Sequence, residues 1–286
     1  MYEGKTILVT GATSGLGLAT ARALAEGGAS VIITGRDPER CARAAADVRA
    51  ADWLVADFTD LSQVARLVDE FKGRHSKLDV LVNNAGAVFQ RRQLTADGLE
   101  LTFVVNYLAP FLLTTGLLDT LVAATRARIV NVASVSHSMQ HLDFGDLQLA
   151  NGYRPFRAYG RTKLANVMFT YELARRLADA GVTANAVDPG LVRTRIGAKA
   201  GALAGFGWTL TQLRYRSVLA EPETAGRALA HVSCSPELDG VTGAYFEGDR
   251  VSESSAESRD PRACARLWAV SEQLVERFSS RETAIG

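Results

Sequence analysis

The sequence predicts an α/β fold: a doubly wound parallel sheet of seven strands with helices on both faces, built by a single domain over 1–286. Short β-branched runs alternate with longer stretches of helical period, the pattern that yields parallel strands joined by crossover helices. A glycine-rich turn joins the first run to the first helical stretch. Apolar residues make up 47% of the chain against 22% charged, enough to cover a long sheet on both sides and too apolar for disorder.

Strands are expected at Thr6–Thr10, Ser30–Thr34, Trp53–Ala56, Val80–Asn83, Ile129–Ala133 and Thr183–Val187, with a seventh at Gly243–Glu247. Helices are expected between them at Leu16–Glu26, Pro38–Arg49, Leu61–Gly73, Leu99–Ala124, Ala158–Ala180 and Glu221–Ser233. The stretch from Arg193 to Leu219 has neither period. Its glycines and its Phe206, Trp208, Leu210, Leu213 and Tyr215 suggest a lid over about 191–220, unless those aromatics pack on one another or on a neighbouring subunit. Leu267, Val270, Leu274 and Phe278 recur at helical spacing and predict a C-terminal helical extension over about 260–280.

A net charge of +1, without a Lys/Arg block, excludes the electrostatic footprint of a nucleic-acid binder. Cys41, Cys234 and Cys264 are far apart and offer no metal-ligand spacing, so no metal site is expected. The apolar stretch Phe103–Val122 is broken by Asn106, Pro110 and Asp119, which argues against a membrane span. The first strand starts too near the N-terminus to leave room for a signal segment, and a cytoplasmic protein is expected.

Gly11, Thr13, Ser14, Gly15, Leu16 and Gly17 lie between the first strand and the first helix. Glycines there allow a tight turn and close approach of backbone amides to a pyrophosphate, although glycine loops also serve as plain turns. The second strand ends Thr34-Gly35-Arg36, with no acidic residue where a ribose-binding carboxylate would stand. Arg36 instead places a guanidinium where the 2′-phosphate of NADP would sit, unless it pairs with Asp37 or Glu39. A charge-assisted hydrogen bond of about 1.5–3 kcal/mol would give roughly ten- to a hundredfold preference for NADP(H). Asp57 is placed to accept from an adenine amino group or to cap the next helix, and Asn84, Ala85 and Gly86 leave the fourth strand either beside the cofactor ribose or as an ordinary strand exit.

Tyr159 and Lys163 are one helical turn apart, an arrangement suited to proton transfer and equally common on helix surfaces. An ammonium beside a phenol favours the phenolate, so Lys163 is expected to lower the pKa of Tyr159. Ser134 leaves the fifth strand at the carboxyl edge of the sheet, where ligands of open α/β sheets bind, and its hydroxyl could hold a carbonyl oxygen. Asn106 lies in the long helix before that strand, its side-chain amide placed for a water-mediated relay to Lys163.

Together, the glycine turn, Asn83-Asn84-Ala85-Gly86, Asn106, Ser134, Tyr159 with Lys163, and Asp188-Pro189-Gly190 resemble the short-chain dehydrogenase/reductase family over nearly the whole chain. The runs around Asn106, after Tyr159 and near Trp268 are similar to its retinol-dehydrogenase-like branch, as is an inserted loop over about 135–157. The resemblance implies a Rossmann fold and a catalytic tetrad of Asn106, Ser134, Tyr159 and Lys163. It further implies that Pro189, Gly190 and Thr194 flank the nicotinamide, and that the long helices at Leu99 and Ala158 pair subunits into a homodimer or homotetramer. The expected activity is an NADP(H)-dependent carbonyl–alcohol interconversion on an apolar small molecule. The alternatives are reduction of an activated carbon–carbon double bond and a non-catalytic NADP sensor.

Overall fold

The computed structural model describes residues 2–192 and 220–278. Eight strands, β1 (Thr6–Thr10), β2 (Ser30–Gly35), β3 (Asp52–Val55), β4 (Val80–Asn83), β5 (Arg128–Val132), β6 (Thr183–Asp188), β7 (Tyr245–Glu247) and β8 (Arg250–Ser252), form one sheet. Their order is β3-β2-β1-β4-β5-β6-β7-β8, and every neighbouring pair is parallel except β7 with β8. The seven expected parallel strands are all present, and an eighth, antiparallel one is added to them: at Gly248, whose φ is 62°, the chain folds back so that Glu247 faces Arg250.

Because side chains alternate along a strand, each strand feeds two cores. Leu8, Ile32, Leu54, Leu81 and Ile129 point to one face, where they meet α3 (Leu61–Arg74) through Val64 and Phe71. Ile7, Val9, Val31, Ile33, Val82 and Val130 point to the other. There they meet α1 (Gly15–Glu26) through Leu16 and Leu24, and α2 (Pro38–Val48) through Ala44 and Val48.

The single helix expected over Leu99–Ala124 is broken into α4 (Leu101–Phe103), a π turn (Val104–Leu108), α5 (Ala109–Gly116) and α6 (Leu118–Val122). Pro110 has no N–H to give to the carbonyl of Asn106 one turn earlier, and the ladder widens ahead of it: the Ala109 N–H donates to the Val104 carbonyl. A 3-10 turn, Val135–Met139, opens the inserted loop, and α7 (Pro155–Arg176) follows it.

The loop between them is fastened at several points. Glu100 and Leu142 donate their backbone N–H groups to Gln148 Oε1 and Glu257 Oε1, and the Tyr153 hydroxyl donates to the Phe89 carbonyl. Beyond the sheet lie α8 (Pro222–Cys234), packed on the α1 face, and α9 (Pro261–Val275), the expected C-terminal extension. Trp268 of α9 meets Phe111 and Phe169, its ring takes the Arg176 guanidinium at 4.3 Å, and Tyr107 and Ser271 share a 2.7 Å hydrogen bond. Residues 193–219, with Thr194 and most of the expected lid, lie outside the described residues. No described helix is long and apolar enough to cross a membrane.

Candidate active site

At the carboxyl end of β1 the chain turns through Gly11 and Gly15, with φ of 66° and 58°, conformations that favour glycine. A Cβ on Gly11 would lie 2.9 Å from Ala85 Cα, and one on Gly17 would lie 2.4 Å from Asn84 Nδ2 and 2.7 Å from the Gly11 carbonyl oxygen. Backbone therefore rests on backbone where the first and fourth strands end. Thr10 binds the two segments together. Its hydroxyl accepts the N–H groups of Asn84 at 2.9 Å and Ala85 at 3.0 Å, and its carbonyl takes Asn84 Nδ2 at 2.8 Å.

Ser14 precedes α1 but its side chain caps no amide, and the first turn holds no acidic residue. The N–H groups that open a helix have no partner within it, so this end presents donors and the positive pole of the helix, as an anion requires.

Thr13 covers the end of β2, within 2.5 Å of where a Gly35 Cβ would stand. Beside it Arg36 is exposed and has no ion pair among the described residues. Asp37 instead caps α2 by accepting the Arg40 N–H at 3.0 Å, and Glu39 pairs with Arg43 at 3.4 Å. Arg40 and Arg43, which the sequence reading passed over, line a cleft of about 330 Å³ with Thr13, Leu18, Ala44 and Asp47. Asp57 does not cap α3, which is the work of Asp60. It shapes the turn after β3 by accepting the Thr59 N–H at 3.0 Å.

The other end of the edge is built from buried polar groups. Ser134 follows β5 and starts the 3-10 turn, half-buried, with its Oγ accepting the Ser136 N–H and near enough to Tyr159 to act on its hydroxyl. Lys163 is 3% exposed; its Nζ donates to the Val132 carbonyl at 2.6 Å and stands 5.5 Å from the centre of the Tyr159 ring. Desolvation pulls Lys163 down to about 8, opposed by the Asp188 carboxylate. Burial pushes the Tyr159 hydroxyl above the ordinary tyrosine value; Asp188 pushes the same way, and only the Ser134 hydroxyl works against them. The expected lowering of Tyr159 by Lys163 does not enter this balance: the ammonium lies against the ring, and the charge that acts on the hydroxyl is the Asp188 carboxylate.

Asn106 is buried in the π turn, with its amide engaged. Oδ1 accepts the Ala87 N–H at 2.7 Å, and Nδ2 donates to the Ala87 carbonyl at 2.9 Å and to Thr162 Oγ1 at 3.2 Å. The Thr162 hydroxyl donates in turn to the Tyr159 carbonyl at 2.7 Å. The amide therefore fixes Ala87 just past Gly86 and braces the turn of α7 that carries Tyr159, instead of reaching Lys163. The Asn106 group that Pro110 leaves without its helical donor is the main-chain carbonyl.

Gly190 follows β6 with φ 76°, its N–H bonded to Asp188 Oδ1 at 2.9 Å. Beneath the site a buried ladder joins the strands: Asn83 Nδ2 donates to Asn131 Oδ1 at 2.8 Å, and Asn131 Nδ2 to Thr170 Oγ1 at 2.9 Å. Asn83 and Asn131 each stand among β-branched neighbours in a buried strand, a placement that could have marked them.

Residues 5–203 match the family model described as short chain dehydrogenase. The chain is 37% identical to human retinol dehydrogenase 13, an alignment covering 95% of this chain and 85% of that protein. It is also 37% identical to a Streptomyces protein provisionally named a daunorubicin C-13 ketoreductase, over 95% of this chain and 93% of that one. A crystal structure of an uncharacterised Mycobacterium paratuberculosis protein superposes with a TM-score of 0.75 at 34% identity, covering 96% of this chain and 94% of the other.

Proposed function

Because the chain belongs to the short-chain dehydrogenase family, oxidoreductases that use a nicotinamide cofactor on small molecules, we propose that it is an NADP(H)-dependent enzyme, folded as one domain, that interconverts a carbonyl and an alcohol. The observation that carries this reading is Tyr159 within the influence of the Ser134 hydroxyl, with Lys163 Nζ 5.5 Å from the centre of the same ring, on the sheet edge that also holds the glycine turn. The relatives' names, one for an alcohol and one for reduction of a ketone, agree with that exchange.

The residues present fit a dinucleotide: a Cβ at Gly11 or Gly17 would be blocked, and the start of α1 offers uncapped amides. Gly11, Thr13, Ser14, Gly15, Leu16 and Gly17 would hold its pyrophosphate, and Asp57 with Asn84, Ala85 and Gly86 its adenosine side. Lys163, Pro189, Gly190 and Thr194 would hold its nicotinamide riboside. When bound, NADP(H) supplies or accepts the hydride. Arg36, exposed and without a carboxylate partner among the described residues, supports a preference for the 2′-phosphate, and the cleft lined by Arg40 and Arg43 adds positive charge nearby.

Ser134 and Tyr159 hold the substrate oxygen. A hydroxyl held above its ordinary value keeps its proton near neutrality, so Tyr159 is charged with the proton it gives to a developing alkoxide, and it takes one back in the reverse direction. Asn106, through Thr162, keeps that turn of α7 in register. Val135, Met139, Phe156 and Leu191, all exposed large apolar side chains, flank Ser134, Tyr159 and Gly190 in sequence and support an apolar substrate.

Replacing Tyr159 by Phe is expected to leave NADPH binding intact in a fluorescence titration and to lower turnover of an aldehyde and ketone panel by about 10²–10⁴-fold. Near-native turnover would reject the assignment.

A further inference from the structure

The imidazole of His137 is 2% exposed and belongs to the turn that Ser134 opens. Its two nitrogens face opposite kinds of partner. Nδ1 is 2.8 Å from the Ser134 carbonyl oxygen, and Nε2 is 3.1 Å from the backbone nitrogen of Ser255. A carbonyl only accepts and a backbone N–H only donates, so Nδ1 carries the proton and Nε2 is bare. The ring is therefore neutral and held in one tautomer, packed at a tilt on Tyr245 of β7 with 4.9 Å between ring centres.

Ser255 is a firm anchor for that ring. It lies after β8, beyond the residues 5–203 that match the family model. The Ser258 hydroxyl donates to the Ser255 carbonyl at 2.6 Å, and the neighbouring Ser254 shares a 2.6 Å hydrogen bond with Tyr171 of α7. The Ser134 turn also rests on α7: a Cβ on Gly160, the residue after Tyr159, would lie 2.9 Å from the Ser136 carbonyl oxygen. The turn is thus clasped between the helix that carries Tyr159 and the imidazole of His137, with Ser134 Oγ accepting the Ser136 N–H inside it at 3.3 Å.

We propose that His137 is a positioning residue that fixes Ser134 by donating Nδ1–H to its carbonyl, and that the Ser255 N–H selects the tautomer able to make this donation. The proposal rests on the role given above to Ser134 and extends it, since it makes a segment far along the chain part of what builds the site. Moving the proton to Nε2 would set two donors against each other at Ser255 and two lone pairs against each other at Ser134. Both ends of the ring therefore enforce the same state.

The first test needs neither substrate nor cofactor. In the full chain with isotope-labelled histidines, a long-range proton–nitrogen correlation spectrum tells a protonated ring nitrogen from a bare one. The pattern missing from His137→Asn reports His137, and at neutral pH it is expected to show Nδ1 protonated and Nε2 bare. In His137→Leu the Ser136 amide should exchange with solvent about three- to tenfold faster, as Ser134 Oγ loses its fixed place. The side-chain amide of His137→Asn stands where Nδ1 stood, and this variant should return most of that protection. On whichever aldehyde or ketone of the panel the wild type reduces best, kcat/KM should fall about ten- to a hundredfold in His137→Leu and recover in His137→Asn, with NADPH affinity unchanged in both. A protonated Nε2, an unmoved Ser136 amide or an unmoved kcat/KM overturns the proposal. So does an Asn variant no better than Leu, because only the bulk of the ring would then be in use. If His137→Leu does not fold, the tautomer of the wild type still decides. An active Tyr159→Phe would reject the catalytic reading while leaving the tautomer and the amide exchange as they are, so the two failures are told apart.

Discussion

Where the glycine turn meets Asn84 and Ala85, the contacts are made by what is missing: a Cβ at Gly11 or Gly17 would strike backbone or an amide within 3 Å. Where Tyr159 meets Ser134 and Lys163, on the same edge of the same sheet, they are made by buried groups that carry or exchange charge. The first region is steric, rigid and indifferent to pH; the second is electrostatic, and its state depends on which proton each partner holds. The split matches the tasks proposed for each. A dinucleotide must be held in one place through the whole cycle, whereas the reacting oxygen must gain and lose a proton.

The largest effect that would sharpen this comparison is expected from Gly17→Ala. Its methyl would meet the Gly11 carbonyl, which cannot swing aside as a side chain could, so a stability loss of about 1–3 kcal/mol is expected, as for other overpacked sites. Thermal unfolding measures it, and NADPH titration of the folded fraction should show more than about tenfold weaker binding, about 1.4 kcal/mol. A variant with wild-type stability and affinity would mean the close approach is not what shapes this end. Next comes Arg36→Ala, a charge change in the steric region. NADPH affinity should fall about ten- to a hundredfold while NADH affinity holds. An equal loss for both cofactors would remove the phosphate from the account of Arg36. The smallest effect is expected from Arg43→Ala: its pair with Glu39 is exposed at both ends, so the unfolding temperature should stay within error of the wild type. A clear loss would show that the cleft beside Thr13 depends on that guanidinium.

The parallel strands were legible because runs such as Ile7-Leu8-Val9 and Val31-Ile32-Ile33 are too apolar and too short for anything but strands covered on both faces. Arg250-Val251-Ser252 carries no such signal, and only the Gly248 turn pairs it with β7. Pro110 was visible as a break in an apolar stretch, but its consequence for the Asn106 carbonyl appears only once the helix path is known.

The site was legible where motif and local geometry coincide, at the glycine turn and along one face of α7. It was not legible where partners come from far along the chain. Thr10 holds Asn84 and Ala85, and Asn106 spends its amide on Ala87 and Thr162. His137 reads locally as a histidine of the inserted loop. Its bond to the Ser255 N–H spans 118 positions, which no short window of sequence contains.

The hairpin that adds β8 also decides what the sheet offers its surroundings on that side. Without it, the outer row of β7 amides and carbonyls would lie open as a template for another chain. With it, the outermost ribbon is three residues long and begins with the cation Arg250. Short, charged borders of this kind discourage strand-to-strand recruitment and the fibrous aggregation that follows from it.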